Sequence, residues 1–233
     1  MVKSVVEDIE TPNKEYANLL KILGESTETR FWYDFIKQTH GTSAKMLEFG
    51  AGSGNLAIPL ANAGITVSAV EIDPYSAQHI IDQAPSNLDV IVSKVEDTNL
   101  AEKFDLVLSK SCIMYIPRTN TKGFFNSAAR HLSHNGVFMV EVPDIKWLKG
   151  DAFLKNDKQT VTASFEKETG LWSIAAVYRT ASNQSETYQL TESYNMISDE
   201  EVDKIAREQG LKLISSNAAK LNPITKYLAF KHI

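Results

Sequence analysis

The feature that most limits the fold is an alternation of short apolar runs with helix-patterned segments in the middle of the chain. Five runs have the length and composition of strands, at 46–50, 65–72, 89–92, 104–109 and 136–142. Helical patterns separate several of them, at 56–64, 74–83 and 121–132. Because parallel neighbours in a sheet need crossover connections, the alternation predicts an α/β domain with a parallel sheet and helices on both faces.

The segments on either side of this core have different patterns. The first forty residues have apolar stripes at helical spacing and predict a helical lid. After Pro143, three segments rich in Thr, Val, Tyr and Phe predict antiparallel strands, and Ser198-Asp199-Glu200-Glu201 predicts the capped start of a helix that ends at Gly210. Two final strands follow. The predicted units are a helical N-terminal lid, a cofactor-binding core, an antiparallel strand insertion, and the closing helix and strands, at 1–40, 41–143, 144–197 and 198–233.

The amino-acid composition limits the partners that the protein is expected to bind and the compartment in which it is expected to act. The chain has 233 residues, with 24 Lys+Arg against 29 Asp+Glu, so its net charge is −5 and it lacks the basic surface that nucleic acid or an anionic membrane requires. A single cysteine, Cys112, excludes an internal disulfide, and no histidines or cysteines have the spacing of a metal site. Acids interrupt the N-terminal stretch before an apolar leader can develop, so we expect a cytoplasmic protein that uses no metal.

The most informative motif is a glycine turn between the first core strand and the helix that follows it. Gly50, Gly52 and Gly54 alternate with small residues, which predicts a bend that lets a ligand approach the backbone, and we expect the helix to begin near Asn55. A dinucleotide fingerprint would have glycine at position 55, and Glu48 would repel a pyrophosphate. The turn therefore favours a ligand with an amino group over a nicotinamide or flavin dinucleotide. Glu48 is a candidate contact for that amino group.

A second acid ends the next strand. Glu71 lies 21 residues after Gly50, where its carboxylate can accept both hydroxyls of a ribose that crosses the switch point of the sheet. The competing interpretation is a structural turn followed by a solvated strand end. The two acids together with the strand pattern favour a nucleoside site.

These motifs resemble the class I S-adenosylmethionine (SAM) dependent methyltransferases. LEFGAGSGNLAIPLANAG and VSAVEIDP are similar to that family's first two motifs, and KFDLVLS and HLSHNGVFMVEVPD to its fourth and fifth strand regions. The resemblance implies a Rossmann-like doubly wound sheet of about seven strands, mostly parallel with an antiparallel last strand. It also implies a methyltransferase that uses SAM and releases S-adenosylhomocysteine (SAH). The tail at 194–216 is similar to small-molecule N-methyltransferases, which favours an amine acceptor over a carboxylate or hydroxyl.

The resemblance also implies roles for residues of the turn and of the second strand. The backbone of Gly50, Ala51 and Gly52 would face the methionine part of SAM. Glu71 would hold the ribose, and Ile72 would lie against the adenine.

The segment expected to contact the adenine differs from the family pattern. Lys94 stands where many relatives have an acid that meets the adenine amino group. Val95 can still donate its backbone N–H to a ring nitrogen, and Glu96 or Asp97 can reach the amino group.

The methyl acceptor should lie beyond the carboxyl ends of the fourth and fifth strands. Tyr115, Glu141 and Lys110 are the candidate catalytic residues, since the first two can orient or deprotonate an amine and Lys110 can meet a carboxylate. Three further residues are candidate cofactor contacts, with Tyr16 closing over the cofactor, Arg30 meeting a carboxylate and Ser109 ending the fourth strand.

Two interpretations of the whole chain remain open at this point. The first is an enzyme acting on a small molecule inside a covered cavity. The second is a catalytically silent SAM-binding sensor or partner subunit. The aromatic residues of the insertion either pack on their own sheet or form an interface, which leaves room for a homodimer.

Overall fold

The computed structural model describes residues 2–6, 28–41, 43–143, 152–155, 159–166, 171–179, 185–193, 197–219 and 225–233. Side chains are described for 28–41, 43–142, 197–216 and 225–233. The strands in chain order are β1 (Val2–Val6), β2 (Lys45–Phe49), β3 (Thr66–Glu71), β4 (Leu88–Val92), β5 (Phe104–Ser109), β6 (Leu132–Pro143), β7 (Ala152–Lys155), β8 (Gln159–Glu166), β9 (Leu171–Arg179), β10 (Ser185–Ser193), β11 (Leu211–Ala219) and β12 (Thr225–His232). The helices are α1 (Thr29–His40), α2 (Ala57–Asn62), α3 (Pro74–Ile81), α4 (Thr121–His131) and α5 (Asp199–Glu208).

A seven-stranded sheet in the order β11-β12-β6-β5-β2-β3-β4 forms the core. The strands from β2 to β6 pair in parallel, and β12 runs antiparallel to both of its neighbours. The chain reverses its direction across the sheet between β2 and β5, because β3 and β4 extend one side and β5 and β6 the other. This confirms the predicted doubly wound, mostly parallel sheet with an antiparallel last strand, and it creates a switch point beside the end of β2.

Helices cover both faces of this sheet with separate apolar cores. On one face, Trp32 of α1 is fully buried and its ring packs edge-on against Tyr227 of β12, with centroids 4.9 Å apart. On the other face, Phe125 of α4 packs against Phe138 of β6 and Phe230 of β12 at 5.8 and 6.0 Å. Burial on both faces explains why the central strands are continuous apolar runs rather than alternating ones.

A second sheet of five strands has the order β1-β10-β9-β8-β7. Strands β8, β9 and β10 confirm the antiparallel segments predicted after Pro143, and β7 is an additional strand. The expectation that the first forty residues are helical is wrong for Val2–Val6, which pair in parallel with β10. Local spacing could not reveal that pairing because the partner strand lies far along the chain, although β-branched valines do favour strands. The stripe at 16–23 lies outside the described residues.

The closing helix begins as predicted. Ser198 is the N-cap of α5, and its hydroxyl oxygen accepts the backbone N–H of Glu201 at 3.2 Å. Three acids in the first turn complement the helix dipole. The division of the chain at 40, 143 and 197 stays a prediction, although β1 joins a sheet whose other strands all lie in the predicted insertion.

We expect Ser198→Ala to lower the free energy of unfolding by about 1 kcal/mol, since it removes the capping acceptor while the N–H of Glu201 stays near buried surface. Urea unfolding followed by circular dichroism measures this loss. Ser198→Asp is the matched control, because an aspartate at the same position restores the acceptor and should recover most of the stability. Equal losses in the two variants would contradict the capping role.

Candidate active site

The glycine turn at the end of β2 is fixed to the neighbouring strand. Gly50, Gly52 and Gly54 have φ of +70°, +57° and +79°, which side-chain-bearing residues rarely adopt. The backbone N–H groups of Gly50 and Ala51 both donate to the carbonyl of Val70, at 2.9 and 3.0 Å. The turn therefore folds back over the end of β3 and has a defined shape at the switch point.

The helix after the turn begins close to the predicted start near Asn55. Helix α2 starts at Ala57, and it has only six residues. A turn bridges the gap, and the N–H of Ile58 donates to the carbonyl of Gly54 at 3.0 Å. The shape of this edge thus comes from the glycine turn itself rather than from the end of a long helix.

Close packing explains why position 50 needs a glycine. A Cβ at Gly50 would lie 2.7 Å from both Cβ and Sγ of Cys112, in the loop after β5. Burial raises the pKa of the Cys112 thiol well above its usual range, so this side chain is a neutral filler between the two loops. Ser109 is also fully buried, and its hydroxyl, which has no oxygen or nitrogen partner among the described residues, lies beside the same thiol.

Glu71 joins the glycine turn to the start of α3. Its Oε2 accepts the backbone N–H of Gly52 at 2.6 Å, and its Oε1 accepts that of Asp73 at 2.8 Å. Burial raises the pKa of Glu71 to about 7, although the two N–H donors favour the charged form. Asp73 in turn caps α3 by accepting the N–H of Ser76 at 3.1 Å. The carboxyl group is therefore held in one orientation at the end of β3.

Glu48 is a buried acid with one oxygen that lacks a donor among the described residues. It pairs with Ala69 in the sheet register and so shares a face with Glu71, two residues further along β3. Its Oε2 has no hydrogen-bond partner among the described residues. Burial raises the pKa of Glu48 to about 8, an increase that the positive charge of Lys110 opposes and the negative charge of Glu71 reinforces. The site thus contains a carboxyl group that a bound cation would stabilise.

Glu141 lies further along the same carboxyl edge, near the end of β6. It is buried, its Oε2 accepts the hydroxyl of Ser111 at 2.6 Å, and its Oε1 accepts the hydroxyl of Thr225. Sequence reasoning identified Glu141 but missed both hydroxyl partners. Ser111 follows the end of β5 by two residues, a position that could have suggested it, whereas Thr225 comes into contact only through the pairing of β12 with β6.

Another buried acid supports this region. Glu28, at the start of α1, accepts the hydroxyl of Tyr227 at 2.8 Å and the indole N–H of Trp32 at 3.3 Å. Burial, together with the charges of Glu141 and Glu28, raises the pKa of Tyr227 far above its usual range. Tyr227 therefore stays protonated and fastens α1 to the sheet.

The predicted adenine contacts lie beside β4 and the start of α4. Val95 is buried, and Ile72 and Glu96 are half-buried, whereas Asp97 is exposed. The Glu96 carboxylate accepts the side-chain amide of Asn120 at 2.7 Å. This contact orients the Glu96 carboxylate.

The remaining candidate residues differ in whether they lie near the buried acids of the site. Lys110 is half-buried close to Glu48, and Tyr115 is half-buried in a short 3₁₀ turn at Ile113–Tyr115. Arg30 does not lie among the buried acids, since its side chain is 86% exposed and pairs with Asp34 at 2.8 Å along α1. Tyr16 lies outside the described residues.

Comparison with known proteins identifies the family and the fold. A family model described as a methyltransferase domain matches residues 25–216. A ubiquinone biosynthesis O-methyltransferase from Paramagnetospirillum magneticum is 31% identical over 97 residues, which is 40% of this chain and 38% of the relative. The chain spans only 25% to 38% of the length of the curated relatives that it matches.

Solved structures share the fold over nearly the whole chain. The CcbJ methyltransferase from Streptomyces caelestis superposes with a TM-score of 0.75 at 16% identity, covering 97% of this chain and 99% of that one. CalS10, an amino pentose methyltransferase from Micromonospora echinaspora, gives 0.71 at 14% identity, covering 96% and 98%. The chain belongs to the class I SAM-dependent methyltransferase family.

Two further properties of the described residues concern the binding of a metal and the crossing of a membrane. In the part of the chain that the structure describes, no group of three or more His, Cys, Asp or Glu side chains is arranged to hold a metal ion. No helix among the described residues is both long enough and apolar enough to cross a membrane.

We expect Gly50→Ala to lower the free energy of unfolding by about 1–3 kcal/mol more than Gly64→Ala, because only the first new Cβ overlaps Cys112. Gly64 is the matched control, since it also has a positive φ, of +95°, but faces open space. Urea unfolding of both variants measures the difference. Adding Cys112→Gly to Gly50→Ala should recover part of the loss, and equal losses at positions 50 and 64 would contradict the close packing.

Proposed function

We propose that this chain transfers the methyl group of SAM to the nitrogen of a small-molecule amine. The observation that carries the amine assignment is the set of buried carboxyl groups at the carboxyl edge of the sheet. Glu48, Glu71 and Glu141 are all at least nine-tenths buried. Buried acids at this edge favour cationic ligands and disfavour a carboxylate acceptor, and Glu141 is the one of the three that faces the acceptor when Glu48 and Glu71 hold SAM. The likeness to an amino pentose methyltransferase supports the same choice.

Glu48 and the glycine turn are proposed to hold the amino-acid end of SAM. The unpaired Oε2 of Glu48 fits the α-ammonium group, which would supply both the missing donor and a positive charge. The backbone of Gly50, Ala51 and Gly52 would then lie beside the methionine chain. Their N–H groups are already used within the protein, so shape and carbonyl groups rather than N–H donation would dominate there.

Glu71 is proposed to hold the ribose. Each of its oxygens accepts one backbone N–H and keeps a lone pair that can accept a ribose hydroxyl. Ile72, Val95 and Glu96 would surround the adenine, with Glu96 already oriented by Asn120. Tyr16, Arg30 and Ser109 stay predictions as cofactor contacts.

The chemistry requires little of the protein beyond alignment and control of one proton. SAM supplies a methyl group that its sulfonium already activates. The acceptor must present a neutral nitrogen, so the protein has to hold the proton that an ammonium loses. Glu141 is the strongest candidate for that proton, and Tyr115 can orient the amine. Lys110 is better placed as a counter-charge to Glu48 than as a base.

We expect the affinity for SAH to rise between pH 6 and pH 8. The pKa of Glu48 is about 8 and that of Glu71 about 7 in the free protein, and an ammonium and ribose hydroxyls favour the ionised carboxylates. Binding therefore releases protons, and affinity falls as pH drops below these values, by up to about tenfold per pH unit for each group. Isothermal titration in a pH series measures the slope.

Glu48→Gln should remove the contribution of one carboxyl group from the pH dependence of SAH affinity. It should also weaken SAH binding at pH 8 by about 1–3 kcal/mol. Glu102→Gln is the matched control, because Glu102 is exposed and pairs with Lys45 at the far end of β2. An affinity that does not depend on pH, or an unchanged slope in Glu48→Gln, would rule out the role proposed for Glu48.

We expect methyl-labelled SAM to transfer label to nitrogen in a panel of amino sugars, primary amines, carboxylic acids and alcohols. Mass spectrometry of the products should show gains of about 14 Da, the mass of one CH₂, on amines. Transfer to oxygen alone would overturn the amine assignment, and tight SAH binding without any transfer would favour the sensor interpretation.

A further inference from the structure

Ser111 has the most unusual backbone of the candidate active site. Its φ is +55°, and it is the one non-glycine residue with a positive φ in the part of the chain that the structure describes. L-residues other than glycine and asparagine rarely adopt this conformation, which tends to occur at functional sites. Ser111 also directly precedes Cys112, which packs against Gly50 of the glycine turn. The strained residue is therefore in the loop that borders the proposed cofactor site.

The hydroxyl of Ser111 is the accessible end of a buried polar chain. It donates to Oε2 of Glu141 at 2.6 Å, and Thr225 donates to the other oxygen. Glu141 is only 1% exposed, whereas Ser111 is half-buried. Because the Ser111 hydrogen points to Glu141, its oxygen can still accept a hydrogen bond from a ligand.

The charged and titratable groups on this side of the sheet include Tyr227, Glu28, Glu48 and Lys110. Tyr227 is the cross-strand neighbour of Glu141 on β12, but that hydroxyl donates to Glu28. Glu48 lies close enough to Tyr227 to affect its titration, and Lys110 lies close to Glu48. Ser111 is thus the hydroxyl that links Glu141 to the loop after β5.

We propose that Ser111 is a catalytic residue that relays the acceptor's proton to Glu141. The inference rests on the proposed N-methylation. An N–H bond of the ammonium breaks, its electron pair stays on nitrogen, and the proton forms a new O–H bond on Ser111. The original Ser111 proton moves to Oε2 of Glu141, so the serine ends neutral and Glu141 becomes protonated. The amine then has the lone pair that methyl transfer requires.

The serine supplies a contact that glycine could not. Glycine would adopt φ +55° with less strain, but it would leave Oε2 of the buried Glu141 without the Ser111 donor, because Thr225 donates to the other oxygen. A structural role and a relay role for this hydroxyl differ in their dependence on pH, which the variants below measure.

Ser111→Gly is the sharpest test, because glycine relieves the backbone strain and removes only the hydroxymethyl group. We expect its kcat for an amine acceptor to fall at least tenfold at pH 7. The loss should shrink to less than threefold at a pH above the acceptor's own pKa, where the amine is already neutral. With SAH present, calorimetry should show weaker binding of the amine, while the affinity for SAH itself changes less than twofold.

Two further variants complete the design. Ser133→Ala is the control, since Ser133 donates to Asp105 at 3.3 Å at the opposite, amino end of the sheet and should leave kcat and its pH profile unchanged. Glu141→Gln cannot take up the proton and should give the same pH-dependent loss, with no further loss in the double variant.

The outcomes separate the two proposals. Amine methylation with a kcat and pH profile that Ser111→Gly leaves unchanged would overturn the relay alone. A loss of equal size at every pH would also overturn it, since a structural role predicts that result. Label transfer to oxygen acceptors only would overturn the N-methylation together with the relay.

Discussion

The contact on which the rest of the site depends is the carboxyl group of Glu71 between two backbone N–H groups. One oxygen holds the glycine turn through Gly52, and the other holds the start of α3 through Asp73. A group that joins the turn after β2 to the segment after β3 fixes the distance between them, and so shapes the edge of the switch point where a nucleoside is proposed to bind. Its burial makes the charged form costly, and this cost is what a ligand with suitable hydroxyls offsets.

The acids of the site differ in how well the protein satisfies them. Glu28 and Glu141 accept hydrogen bonds from hydroxyl or indole groups, and Glu71 accepts from the backbone. Glu48 alone among these four has an oxygen without a partner in the described part of the chain. Glu48 is therefore the acid whose hydrogen bonding the protein leaves least complete, and a cation at this edge of the sheet would complete it.

Most of the core could be predicted from the sequence because its signals are local. The strand at 104–109 and the cap at Ser198 are where the pattern placed them, and Glu48 and Glu71 flank the turn as the motif implied. Residues that act through distant pairing could not be found in this way. Thr225 and Glu28 are ordinary polar residues in the sequence, and only the packing of β12 and α1 gives them carboxyl or hydroxyl partners. Arg30 also has a partner that the motif did not indicate, since Asp34 on its own helix pairs with it.

The parallel pairing of β1 with β10 has a consequence for how the chain matures. Val2 is aligned with Thr187, roughly 180 positions later, so the edge strand of the second sheet emerges from the ribosome long before its partner exists. Until β10 has been synthesised, this valine-rich segment has no native strand to pair with, which is a liability for mispairing with other chains. Assembly of that sheet is thus a late event, completed after translation has passed its last strand.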